Sequence, residues 1–600
     1  MLSLEDYFRN AKQTAYQLSP DGRHISFLAP YKDRMNVFVR PIDTDEALRL
    51  TSETERSIAG YFWKGNDRIF FVKDDGGDEN YHIFSIAIDG SDQKCYTPFP
   101  GVRASIIDDL EDNPDEMLIG LNKRNPEVFD PYRLNIHTGE LKLLAENPGN
   151  YQGWTTDHAG RLRVVYAIVD GVNTQILFRE TEGEEFRPVI TTNFKDELSF
   201  VMFTPDNHDV YAVTNIGRDK TALVVMDPRT CEEKEVLFTH DRYDVATISY
   251  SRKRKKLLSA YCSGHKDPVR HWFDDEAQVL RERINNLFPD KRVGIADMDK
   301  AEEHLLLFVG SDRTRGAYWF YDKTTDEVKH MAEIAPWITE EDTVPMEPVK
   351  YTTSDGFEIE AYLSRPKGVE GLLPVIVNPH GGPWSRDSWG YNSEVQFLCS
   401  RGYAVFQMNF RGSTGYGRRF LEASYKQWGL KMQDDITEGV QWLIAQGIAD
   451  PARIAIYGGS YGGYATLAGV CFTPDLYRCA VDYVGVSNLL TFMNTIPPYW
   501  RPMLEMMHEQ VGDPETDREQ MEATSPSLHA DRIKCPLFIA QGANDPRVNK
   551  AESDQMVEAL RKRGIHVEYM VKDNEGHGFR NQENRFDFYR AIERFLKENL

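Results

Sequence analysis

The 600-residue sequence is poor in cysteine and has no pattern among the few it carries. Cys95, Cys231, Cys262, Cys399, Cys471, Cys479 and Cys535 are scattered, odd in number and free of any CxxC pair. That excludes a disulfide framework or a zinc cage and suits reduced thiols, so the expected compartment is the cytoplasm. No HExxH or other ligand spacing occurs, so neither a metal nor a cofactor is expected. The first residues, MLSLEDYFRNAK, lack the basic-then-apolar order of a secretory signal. No uncharged apolar run reaches eighteen residues, which argues against a membrane span. Basic blocks are missing too, apart from Arg252 to Lys256, read here as a solvated hairpin end. With a net charge of -24 the overall field repels polyanions, so nucleic acid is not an expected partner.

What is present is the composition of a globular protein, 41% hydrophobic and 27% charged, in a chain too long for one core. From about residue 15 to 340 a phrase recurs: a turn rich in Asp, Gly, Asn or Pro between two short β-rich runs. It can be read near Leu18, Tyr61, Asp108, Trp154, Phe203, Ser249 and Asp297. The spacing, about 45 residues, is that of a four-stranded blade. Seven phrases predict a seven-bladed β-propeller, with two stacked sandwiches as the alternative. Residues 1–14 precede it, and a helix is expected over Leu4 to Lys12, free to pack back on the C-terminal part. From 341 to 600 the grammar changes. VKYTTSDGFEIEAYLSRP reads as a hairpin turning at Asp355-Gly356, and buried β-runs then alternate with helical stretches. This predicts an α/β-hydrolase domain with a mostly parallel sheet.

Gly458-Gly459-Ser460-Tyr461-Gly462 lies between a β-run and a helix rich in small residues, the setting of a nucleophile elbow. A phosphate loop would need a Lys-Ser/Thr that does not follow. A serine hydroxyl needs a base, and in this fold the partners follow in the order Ser, acid, His. Asp545 stands just past the β-run Leu537 to Ala540. It also suits an ordinary turn, in which case Asp573 would be the acid. His577, between two glycines after Val567 to Val571, is the histidine that satisfies the order; His508 and His529 come too early. The oxyanion would be met by the N–H of Tyr461 and by an N–H from Asn378 to Pro383.

PHGGP (379–383), NFRGSTGYG (409–417), GGSYGGY (458–464), NDPRV (544–548) and EGHGF (575–579) together resemble the prolyl oligopeptidase family, with the acylaminoacyl-peptidase branch nearest. The resemblance spans both halves of the chain. It implies a serine peptidase acting on short peptides or acyl-peptides in a cavity between the domains, with Gly382 as second oxyanion donor and Arg547 binding a substrate carbonyl. Arg547 could equally be a plain salt bridge. Phe492, Tyr499 and Trp500 are candidate pocket walls, though an aromatic cluster is also ordinary core. Dipeptidyl peptidases of the family use a Glu pair from the propeller. Glu184-Glu185 reads as an exposed hairpin tip instead, and His380 replaces a tyrosine of prolyl oligopeptidase itself. A carboxylesterase with the same three residues, or a non-catalytic propeller scaffold, are the competing readings, and a homo-oligomer is compatible with all of them.

Overall fold

The computed structural model describes residues 2–600. Seven small antiparallel sheets span residues 14–49, 60–95, 104–143, 151–193, 198–238, 245–272 and 292–333, in chain order. They are the blades of the expected propeller, and each of the seven recurring phrases falls at the first strand of one blade or at the turn that follows it. Inward-facing apolar residues of adjacent blades share their cores. Phe70 and Ile83 of blade two, for example, pack with Met117, Ile119 and Leu121 of blade three. Blade one uses only residues 14–49, so no strand is exchanged across the ring's seam. Side-chain packing and single backbone hydrogen bonds close it instead: Tyr16 stacks on Tyr318 at 4.9 Å, and the Lys300 N–H donates to the Pro20 carbonyl at 2.8 Å.

Blade six differs from the repeat. It has three strands, and an unforeseen helix, α1 (Asp275–Leu287), follows the third. Asp274 caps it by accepting from the Ala277 N–H at 2.8 Å. The helix buries Ile284 alone, among Leu305, Leu307 and Tyr321 of blade seven. Leu280, Ile284 and Phe288 meet that blade at a helical spacing of four, a short apolar stripe that the blade repeat on either side obscures.

The C-terminal part is built on an eight-stranded sheet: β1 (Met346–Thr352), β2 (Glu358–Ser364), β3 (Leu373–Val377), β4 (Ala404–Met408), β5 (Ala449–Gly459), β6 (Cys479–Tyr483), β7 (Leu537–Gly542) and β8 (Val567–Lys572). The spatial order is β1-β2-β4-β3-β5-β6-β7-β8, antiparallel at the β1 end and parallel from β4 onward. Every residue of β3 and β4 is buried, as strands covered on both faces must be. Helix α2 (Tyr461–Phe472) covers one face, and α3 (Gln582–Asn599) belongs to the core on the other.

The N-terminal helix is shorter than expected, Leu4–Phe8, because Arg9 turns to an extended conformation. A reciprocal Ser3–Asp6 capping box fixes its start. It lies on the hydrolase domain, where Phe8 stacks on Tyr589 at 3.5 Å.

The two halves meet on one side of the propeller, through the turns joining the second and third strands of each blade and through segments linking one blade to the next, such as those carrying Arg56, Asp196 and Arg242. All seven turns of the first class reach the hydrolase. Arg34 pairs with Glu583, Asn544 donates to the Gly76 carbonyl, and Arg501 pairs with Glu127. Met506 donates to Gly171, Lys220 to Tyr416, Arg386 to Ser263, and Gln396 to Asp312. The basic stretch Arg252 to Lys256 joins a first and second strand, points away from the hydrolase and is exposed throughout.

Candidate active site

β5, β7 and β8 lie within one half of the sheet and run parallel, so their C-terminal ends open on the same edge. Ser460 follows β5 and precedes α2, with φ 58° and ψ -119°. This is a left-handed conformation that costs a non-glycine residue strain, of the kind stored at functional turns. Its N–H donates to the Tyr483 carbonyl at 2.9 Å, tying the turn to β6. A side chain at Gly462 would run into the Pro379 carbonyl oxygen, so only glycine lets the 379–383 loop lie against the elbow.

His577 reaches over the sheet from the turn after β8. Its Nε2 is 3.0 Å from Ser460 Oγ and its Nδ1 is 2.7 Å from Asp545 Oδ2. The imidazole side chain is 13% exposed and the Asp545 carboxylate fully buried. Asp545 is engaged through both oxygens. Oδ1 accepts from the N–H groups of Arg547 and Val548, each at 2.9 Å, which shapes the turn. Oδ2 takes the imidazole and an N–H of Gln541 at 3.2 Å. Asp573 is exposed.

Tyr461 is the first residue of α2, where backbone N–H groups have no partner within the helix. Beside it, a Cβ on Gly381 would lie 3.5 Å from that of Ser460, with Gly382 next in the loop at φ 124°. The His380 ring is engaged at both nitrogens, at 2.7 Å from the Gly381 carbonyl and 2.8 Å from the Ser413 hydroxyl. Burial pulls it down to about 4, so this imidazole is neutral and holds the loop.

Arg547 extends to the propeller, where its guanidinium lies 3.2 and 3.3 Å from the two oxygens of Glu79. Glu79 is buried and is also 3.8 Å from Arg103. Tyr499 stands at the same boundary, with the Arg103 guanidinium 5.5 Å from its ring. Phe492 is placed differently: it is buried in the hydrolase core, 6.3 Å from Trp428, with Trp500 half-buried against that core. Glu184 and Glu185 are exposed.

Sequence reasoning missed Glu79 and Arg56. Glu79 lies on the turn from blade two, in DDGGDENY, which reads as plain turn chemistry; a non-glycine φ of 58° at that position is visible only in coordinates. Arg56 sits between blades one and two and bonds to Glu575, more than 500 residues away. Neither carries a local signal.

The described residues contain no cluster of His, Cys, Asp and Glu able to hold a metal ion, and no helix long and apolar enough to cross a membrane. A serine hydroxyl, an imidazole and a buried carboxylate in line can move a proton off the hydroxyl while stabilising the imidazolium that results.

The profile of the prolyl oligopeptidase family matches residues 389–600. Over its whole length the chain is 33% identical to dipeptidyl aminopeptidase BIII of Pseudoxanthomonas mexicana, covering 88% of that protein. It is 31% identical to the acylamino-acid-releasing enzyme of Arabidopsis thaliana, over 39% of this chain and 32% of that one. The fold is similar to that of a puromycin-hydrolysing peptidase of Mycobacterium tuberculosis, with a TM-score of 0.80 at 20% identity over all of this chain and 96% of the other.

Proposed function

Because the chain belongs to the prolyl oligopeptidase family of serine peptidases, we propose that it cleaves short peptides near their N terminus, through an acyl-enzyme on Ser460. The observation that carries this reading is the continuous hydrogen-bonded path from Ser460 Oγ through His577 to Asp545. His577 Nε2 takes the hydroxyl proton as Oγ attacks the scissile carbonyl carbon, and Asp545 offsets the charge of the imidazolium. The N–H groups of Tyr461 and Gly382 receive the oxyanion. The imidazolium then protonates the departing amine, leaving an ester on Ser460. Water, deprotonated by the same imidazole, attacks that ester and frees the acyl piece as a carboxylic acid. The propeller covers this edge of the sheet and admits small substrates rather than folded proteins.

Two kinds of N-terminal piece are compatible with this chemistry, an acylated residue or a free dipeptide. Glu79 favours the second. It places a buried carboxylate beside Arg547, where a substrate ammonium could pair with it while the guanidinium holds a backbone carbonyl. A relative matched along the whole chain is also named a dipeptidyl aminopeptidase. A panel of free dipeptidyl anilides, N-acetylated aminoacyl anilides and nitrophenyl esters tests both levels. Turnover of the free dipeptidyl anilides, abolished by blocking their amine, supports the dipeptidyl reading; preference for the acetylated set reverses it. Activity confined to esters overturns the peptidase reading in favour of a carboxylesterase. Ser460→Ala should lower turnover on the order of 10⁶-fold with the fold intact. Turnover that survives the substitution rejects Ser460 as the nucleophile, whereas failure of Ser460 to react with a fluorophosphonate probe would favour the scaffold role.

A further inference from the structure

We infer that Arg56, a propeller residue, is a positioning residue for the reaction, holding the turns that carry His577 and Asp545 through its ion pair with Glu575. The inference rests on the roles proposed above for those two side chains.

Glu575 lies two residues before His577 and is completely buried. Its carboxylate organises the turn on the far side of the imidazole. Oε1 accepts from the Asn581 N–H and from Asn584 Nδ2, both at 2.8 Å, and Oε2 accepts from the Arg580 N–H at 3.1 Å. Its carbonyl accepts from the N–H of Asn544 at 2.9 Å, the residue immediately before Asp545. One residue thus fixes the chain on both sides of the base and next to the acid.

A buried carboxylate needs a cation, and none of the hydrolase domain's own described cations pairs with this one. The partner is Arg56, itself buried, at 3.3 Å. Its other contacts stay within the propeller, to Asp74 at 3.1 and 3.3 Å. Asp74 opens the turn of blade two that reaches the same place. Gly76 accepts from the Asn544 side chain at 3.0 Å, and a Cβ on Gly77 would lie 3.0 Å from the Gly576 nitrogen. The seat of the His577 turn is therefore assembled from two domains, and the propeller contributes the cation that pairs with its buried carboxylate. Removing one member of a buried pair leaves the other uncompensated, and the element carrying it must shift or take up a proton. A displacement of about 1 Å at a reacting group can cost on the order of 10²-fold in rate.

The test uses the full chain carrying Arg56→Met, Arg56→Lys or Glu575→Gln, with a nitrophenyl ester as substrate. Reactive serines are counted by fluorophosphonate labelling carried to completion. Arg56→Met is expected to lower kcat per reactive serine on the order of 10²-fold, with KM within about twofold of the parent. Arg56→Lys, which keeps the charge, should recover part of the loss. An unchanged kcat per reactive serine overturns the inference, and so does a loss that appears solely as fewer reactive serines, since that is a folding effect. If Arg56→Met does not fold, Glu575→Gln decides: it keeps an acceptor for the Asn581 N–H but loses the ion pair, and undiminished kcat sinks the idea. An active Ser460→Ala would reject the underlying chemical reading instead, whatever the Arg56 variants do.

Discussion

At the scale of single residues, Asp482 stands out as a carboxylate enclosed beneath the nucleophile turn. It lies in β6, next to Tyr483, whose carbonyl holds the Ser460 N–H. It is wholly buried; among the described residues no cation pairs with it, and only the Gly485 backbone N–H faces it. Burial raises it from 3.8 to about 7. A carboxylic acid raised in this way keeps its proton better in the folded state than in the unfolded one. Its contribution to stability is complete below about pH 4, shrinks as pH rises to about 7, and is constant above that. Asp482→Asn, uncharged at every pH, should therefore raise the Tm at pH 8 by a few degrees and give no such gain at pH 4. Thermal unfolding followed by circular dichroism at the two values checks it, and an equal gain at both would rule out the ionisation argument. Ser460, Asp545 and His577 could be found from sequence because each sits in a short segment whose neighbours are dictated locally, glycines around the serine and strand ends before the other two. Arg56, Glu79 and Asp482 could not, since their roles come from neighbours far away in the chain.

At the scale of elements, the repeated turn chemistry of the first half was legible because every blade needs the same strand reversals. Blade six broke the reading where α1 replaced the rhythm, a helix capped by Asp274 with a single buried side chain. The N-terminal helix was legible in existence and too long in extent, since nothing in FRNAK marks Arg9 as the point of exit. Its value lies in Phe8, 6% exposed and packed between Phe397 and Tyr589 of the hydrolase. Phe8→Ala should destabilise the protein by about 3–5 kcal/mol, the usual cost of emptying an aromatic site. Chemical denaturation followed by hydrolase-domain fluorescence would measure it; a change under about 0.5 kcal/mol, the size of an ordinary surface substitution, would mean the helix is not part of that core.

At the scale of the molecule, both ends of the propeller chain are pinned to the same partner. Leu2 accepts from Arg401, Val344 donates to Gln396, and the two ends meet where Lys12 donates to Ile334. The ring has no exchanged strand of its own to keep it shut, so the hydrolase clamps its seam. The two halves should accordingly melt together, as a single calorimetric transition, and two resolved endotherms would show that each stands alone. The domain division was legible from the change in grammar near residue 341. The pairing of all seven near-side turns with the hydrolase was not, because each contact joins segments that carry no shared pattern.

Those near-side turns leave the protein with two classes of loop under unequal constraint. Lengthening the turn around Gly76 and Gly77 by even one residue would prise the propeller from the segments bearing the acid and the base. The turns that join third and fourth strands look the other way, and residues 43–46, in blade one, are exposed throughout. A fluorophore or affinity tag spliced at that point would ride on the enzyme without touching the chemistry.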